Sequence, residues 1–125
     1  MKILSKEQVI SMHKALIAET GGSGEIRDER LLESALNAPF QTFSETKLYP
    51  CVLEKACRLG YGLIKNHSFV DGNKRIGTHT MLVFLSLNGI EIEYQDEELI
   101  QLIIGIASGK YNDREFLIWL QEHIV

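Results

Sequence analysis

A chain of 125 residues with 45% apolar and 24% charged side chains fits one domain, residues 1–125, and is too apolar for a disordered segment. Its length buries a core without disulfide or metal staples. A net charge of −4 and a pI near 5.5 argue against a general nucleic-acid binder, so no direct nucleic-acid binding is expected.

Met1–Ser5 has no signal-peptide core, and the longest apolar stretch, Met81–Leu87, is far too short to cross a bilayer. A cytoplasmic location without membrane association is expected. Ser5-Lys6-Glu7-Gln8 has the spacing of a capping box, and Val9, Met12 and Leu16 recur at helical spacing, which predicts a helix from Lys6 to about Thr20. Gly21-Gly22-Ser23-Gly24 reads as a turn, since it lacks the Lys-Ser/Thr ending of a P-loop and follows no strand. Asp28 caps a short helix through Leu31, Leu32, Ala35 and Leu36, stopped at Ala38-Pro39. Phe40–Tyr49 has no clear period and reads as a surface flap or short hairpin.

Pro50 suits the first turn of a helix running to about Asn66, with Val52, Leu53, Ala56, Leu59 and Leu63 on one face. Cys51 and Cys57 point to different faces at about 100° per residue, so no disulfide is expected between them. After a polar turn, Ile76 to Leu87 is apolar on nearly every side, which places that helix in the middle of the domain. Asn88-Gly89 stops it, and Ile90–Tyr94 alternates like a short strand. Asp96–Ala107 and Asp113–Ile124 read as closing helices, the second with Phe116, Trp119, Leu120 and Ile124 inward. The expected fold class is all-α: a bundle around one buried central helix, with a possible flap hairpin.

The turn His67-Ser68-Phe69-Val70-Asp71-Gly72-Asn73-Lys74-Arg75 carries the chemistry. Lys74 and Arg75 stand at a helix N-terminus, where free N–H groups already attract anions. Cations there oppose the helix dipole, at about 0.3–1 kcal/mol, unless an anion binds. An arginine fork holds phosphate through two hydrogen bonds; the bland reading is two solvated cations. Asp71 can hold a divalent metal whose shell is completed by phosphates and water, or it can cap the helix. Asn73 has the same capping role open to it, or can donate to a phosphate oxygen; only one of the two can be the cap. His67 is a histidine in a polar turn and suits a general base for a hydroxyl. Phe69 is expected to turn inward as an anchor, and Gly72 permits backbone geometry or close ligand approach that a side chain would obstruct. His79 reads as a core or helix-flank histidine, and His13 and His123 as surface residues. Tyr61, Tyr94, Tyr111 and Trp119 lack the basic interleaving of a nucleic-acid surface. Glu97-Glu98 reads as a solvated first helical turn.

The nine residues resemble the signature of the Fic/Doc family, His-x-Phe-x-Asp/Glu-x-Asn-Gly/Lys-Arg, with an allowed residue at each fixed position. Gly21-Gly22 after an N-terminal helix, and Arg27-Asp28-Glu29 leading into Leu31-Leu32-Glu33, resemble its Doc (death-on-curing) toxin branch, so the resemblance covers nearly the whole chain. It implies a helical Fic fold that takes ATP with Mg²⁺ and modifies a protein hydroxyl. His67 would be the catalytic histidine, Asp71 the magnesium-associated acid acting through the phosphates, and Asn73, Lys74 and Arg75 the phosphate holders, with Gly72 keeping the turn open and Lys74 and Arg75 also counted with the catalytic set. Phe40–Tyr49 would be the flap that docks the target.

Most AMP-transferring members carry glycine where this chain has Lys74 and a second arginine where it has Thr78. Doc toxins share the lysine and bind ATP inverted, as kinases of elongation factor Tu. The resemblance therefore implies γ-phosphoryl transfer to a Thr or Ser of a translation factor. AMP transfer, to which Gly72 is closer, is the alternative. A catalytically idle nucleotide- or partner-binding module is a third reading, against which the intact motif speaks, and a metal-dependent nuclease a distant fourth. Self-restraining members carry Ser/Thr-x-x-x-Glu-Gly/Asn; no glutamate here precedes Gly or Asn, so a separate antitoxin protein is the expected inhibitor.

Overall fold

Ser5 Oγ accepts from the Gln8 N–H at 3.1 Å while Gln8 Oε1 accepts from the Ser5 N–H at 2.8 Å, and these reciprocal bonds start α1 (Lys6–Thr20) where the capping box predicts. The computed structural model describes all 125 residues. Gly21, at φ +85°, ends α1 by donating its N–H to the Ile17 carbonyl. Asp28 caps α2 (Glu29–Asn37) by accepting from the N–H groups of Arg30 and Leu31, and the Ala38-Pro39 step converts its end into one 3₁₀ turn, Ala38–Phe40. Lys6 links α1 to α2 through Glu29 and Glu33 at 2.9 and 3.0 Å.

The flap is an exposed antiparallel hairpin of β1 (Thr42–Phe43) and β2 (Thr46–Lys47). Its two turn residues, Ser44 and Glu45, take φ +50° and +65°, the left-handed pair that matches the twist of a two-residue hairpin. The buried Lys55 anchors the flap's exit, donating to the Tyr49 carbonyl with its ammonium 5.9 Å from the Phe40 ring centre. Pro50 lies before the cap of α3 (Val52–Lys65) rather than in its first turn. The cap needs a side-chain acceptor, which Cys51 Sγ provides to the Glu54 N–H at 3.4 Å and proline lacks. Both cysteines are free. Burial, reinforced by Asp113, pushes the Cys57 thiol up to about 12.

The centre of the fold is the packed pair α3 and α4 (Asn73–Leu87), from which Leu59, Leu63, Ile64, Ile76, Met81, Phe84 and Leu85 enter one core. Gly77 lets the two backbones approach: a Cβ there would lie 2.6 Å from Ile64 Cγ1 and 3.1 Å from the Gly60 carbonyl oxygen. Helices α5 (Asp96–Ser108) and α6 (Asp113–Glu122) close the bundle with Ile106, Phe116 and Leu120. The molecule is thus all-α apart from the hairpin, and no helix is long and apolar enough to cross a membrane.

Three expectations at the C-terminal end fail for one reason, the path of the last residues. Ile90–Tyr94 forms only a single bridge, Ile92 to Ile124, flanked by bonds from Glu93 N–H to the His123 carbonyl and Val125 N–H to the Glu91 carbonyl. Leaving α6 at Glu122 to reach that bridge, the chain turns Ile124 outward, 47% exposed, instead of into the core. His123 is half-buried rather than a surface residue: it stacks on Trp119 and pairs with Glu98 at 3.0 Å. This contact raises the imidazole pKa and lowers that of the carboxyl. Glu98 stays in the exposed first turn of α5, as expected, and also answers the Gln95 N–H in a capping box.

Candidate functional site

The nine-residue turn between α3 and α4 is laced to the segment before α2. Asn66 ends α3, and His67 follows at φ +54°, the left-handed position that glycine usually takes. A β-carbon there costs about 1–2 kcal/mol, and the surroundings hold it. Arg27 Nε donates to the His67 carbonyl at 2.7 Å, and the Ser68 carbonyl accepts from the N–H groups of Arg27 and Asp28. Asn66 donates to the Leu31 carbonyl and accepts from the Ser68 hydroxyl. The His67 ring is left exposed on a backbone fixed from behind.

Phe69 turns inward as expected, 1% exposed, and bridges Ile26. Its ring stacks on His13 with centres 3.7 Å apart. His13 is therefore no surface residue. It is buried in α1, where its Nε2 lies 2.7 Å from the Asp71 carbonyl oxygen.

Neither Asp71 nor Asn73 caps α4. Asp71 Oδ2 accepts from the Ser23 N–H at 2.7 Å, and Asn73 brackets Phe69, accepting from its N–H and donating to its carbonyl. The cap position falls to Gly72, at φ +77°, which has no side chain to offer. The first bond of the helix runs from the Ile76 N–H to the Gly72 carbonyl, so the amides of Asn73, Lys74 and Arg75 stand open. A Cβ at Gly72 would also lie 3.2 Å from Ile17 Cδ1 and 3.4 Å from His13 Nε2. Glycine is needed there on both counts.

Arg75 is neither free nor merely solvated: its guanidinium donates to the Thr20 hydroxyl and reaches the Gly21 carbonyl at 3.4 Å. Lys74 is exposed, and the Thr78 hydroxyl turns back on its own helix to donate to the Lys74 carbonyl at 2.7 Å. His79 is an exposed helix-flank residue. It lines a groove of about 490 Å³ with Leu16, Lys74, Arg75, Ile100 and Ile104. No group of three or more His, Cys, Asp or Glu side chains is arranged to hold a metal. A divalent ion here would take Asp71 as its carboxylate, with oxygens of a ligand and water completing its shell. Open amides and two cations at one helix end suit an anion, and an exposed histidine stands eight residues before Arg75.

The sequence model of the Fic/DOC family matches residues 3–85, from before α1 through the turn and most of α4. The chain belongs to the Fic/DOC family. Toxin Doc of Mycolicibacterium smegmatis (strain ATCC 700084 / mc(2)155) is 38% identical over 72 residues, 58% of this chain, and the match spans about half of that protein, 55%. Protein kinase doc of Escherichia phage P1 is 26% identical over 110 residues, 88% of this chain and 86% of that protein. In this Fic/DOC chain the signature is only half of the site. Thr20, Gly21 and Ser23 meet Arg75 and Asp71 across the turn, and a Cβ at Gly22 would lie 3.3 Å from the Asp71 carboxylate. Sequence reasoning gave these residues and Arg27 no part in the site, and it read His13 as a surface residue. For His13 a signal existed: it stands four residues after the buried Val9, on the same face of α1.

Proposed function

We propose that this Fic/DOC chain is the toxin of a toxin–antitoxin pair and acts as an ATP-dependent protein phosphotransferase. It moves the γ-phosphoryl of ATP to a Thr or Ser hydroxyl of a translation factor, elongation factor Tu being the one the resemblance implies. His67 accepts the proton as the hydroxyl oxygen forms its bond to the γ-phosphorus, and the bond to the β-phosphate oxygen breaks to release ADP. Arg75, Lys74 and the open amides of α4 hold the phosphates, Gly72 gives them room, and Asn73 keeps the turn in shape through Phe69. Asp71, with one carboxylate oxygen turned to Ser23, would use the other for Mg²⁺. The ion would supply charge neutralisation along the phosphates.

The observation that carries γ- over α-phosphoryl transfer is the Thr78 hydroxyl bonded back to the Lys74 carbonyl. The position that bears a second gripping arginine in most AMP-transferring relatives offers no cation here, and its only polar group is engaged. Positioning dominates phosphoryl transfer, so the orientation of the nucleotide selects the product. Label from γ-labelled ATP is expected on the target. Label from α-labelled ATP would establish AMP transfer, the reading that the glycine at position 72 favours, and would leave the family assignment standing.

The toxin reading predicts a partner, because no internal inhibitory motif is present. The α1–α4–α5 groove has the chemistry for an amphipathic antitoxin segment: Ile100 and Ile104 are 54% and 48% exposed beside Lys74 and Arg75. Such a segment, disordered when free, orders on binding and releases the toxin when degraded. Expression of the chain alone is expected to arrest growth. Harmless expression of soluble, ATP-binding protein would count heavily against the proposal.

A further inference from the structure

His13 is a buried titratable group that the proposed chemistry leaves idle. It is 1% exposed, and its ring lies against Phe69 at an interplanar angle of 15°. The Asp71 carbonyl can only accept, so Nε2 carries the hydrogen of the 2.7 Å bond and Nδ1 is a bare acceptor. That Nδ1 is buried without a partner. Leaving such an atom unsatisfied is unfavourable, and a leucine or methionine would fill the space without doing so. A role in packing alone gives no reason for an imidazole here.

The hydrogen bond gives one. Were α4 to start one residue earlier, the Asp71 carbonyl would accept from the Arg75 N–H, four residues on. His13 takes that carbonyl instead, and the helix begins from the Gly72 carbonyl. The Arg75 amide thereby stays open. Two further residues of the same α1 face extend the support, at i+4 and i+7: Ile17 lies under Gly72, and Thr20 receives the Arg75 guanidinium.

We propose that His13 is a positioning residue for nucleotide phosphates, the first member of a His13–Ile17–Thr20 floor that fixes the Asp71–Gly72 peptide and keeps the first amides of α4 available. The proposal rests on the nucleotide reading given above, and its test separates the two. His13→Gln retains an N–H at about the reach of Nε2; His13→Leu fills the space without a donor, with His13→Met in its place should the leucine protein not fold. In the ligand-free proteins, ¹⁵N spectra are expected to show the Nε2–H tautomer in the wild type. The Gly72, Asn73, Lys74 and Arg75 amide signals should move in the leucine variant and stay near their wild-type positions in the glutamine variant. Titration calorimetry with ATP and MgCl₂ is expected to show at least about tenfold weaker binding for leucine and recovery to within about threefold for glutamine. If leucine and glutamine give the same amide spectra, or if Nδ1 carries the hydrogen, His13 is a packing residue and the proposal is wrong. The amide spectra need no nucleotide, so they decide on His13 even if the wild type binds no ATP, a result that would overturn the proposed function instead.

Discussion

Replacing His67 with alanine is expected to slow target modification by about 10²- to 10⁴-fold, the usual contribution of a positioned general base, while the unfolding midpoint stays close to that of the wild type. The separation follows from how the residue is held. Its ring is exposed, and the bond that fixes it, from Arg27, ends on its backbone carbonyl, which alanine keeps. Alanine at φ +54° carries much the same backbone cost as histidine, so little stability changes. ATP affinity should also persist, because the proposed phosphate holders lie on the far side of Phe69 in the chain. The comparison is single-turnover transfer by both proteins at matched nucleotide occupancy. Transfer by the alanine protein at the wild-type rate would remove His67 from the mechanism.

Phe69→Ala acts two residues away and by the opposite route. The ring is 1% exposed and among the largest fully buried side chains. Its loss is expected to cost about 3–5 kcal/mol in folding stability, from the missing transfer energy and the cavity left behind. The turn should suffer with it, since the ring stacks on His13 and the residue's backbone is the one that Asn73 brackets and Ile26 bridges. Denaturant unfolding followed by far-UV circular dichroism measures the first effect, and nucleotide affinity of the remaining folded protein the second. An unchanged midpoint would mean that the turn is anchored elsewhere.

What the sequence discloses and what it hides divides along the range of the interactions. Ser5 with Gln8 and Asp28 with the Arg30 and Leu31 amides are settled within a few residues and stand where local spacing puts them, and the flap between Phe40 and Tyr49, which has no clear period, proves to be a hairpin. The His67–Arg75 turn was legible for a different reason: its unusual concentration of polar chemistry at a helix start. Most misread residues answer to distant partners. Asp71 and Asn73 are both good helix caps on local grounds, yet Ser23, 48 residues away, claims the first, the nearby Phe69 backbone claims the second, and the cap passes to a glycine. His13 and His123 look exposed until Phe69 covers one and Trp119 and Glu98 engage the other. Ile124 keeps helical spacing with Leu120, but the bridge to Ile92 takes it out of the helix.

The straps around the turn also impose an order in time. His13 to Asp71, Thr20 to Arg75, Ser23 to Asp71, and Arg27 to Asn66 and His67 join positions between 39 and 58 residues apart. No stretch of two neighbouring helices contains the site, and contacts of such separation close only after the intervening chain has collapsed. On a ribosome, which releases the N-terminal end first, α1 emerges with its half of these contacts long before the other half exists. On the proposed reading, the nascent chain stays inert until α4 has cleared the exit tunnel and packed, leaving an interval in which the proposed antitoxin can be made first.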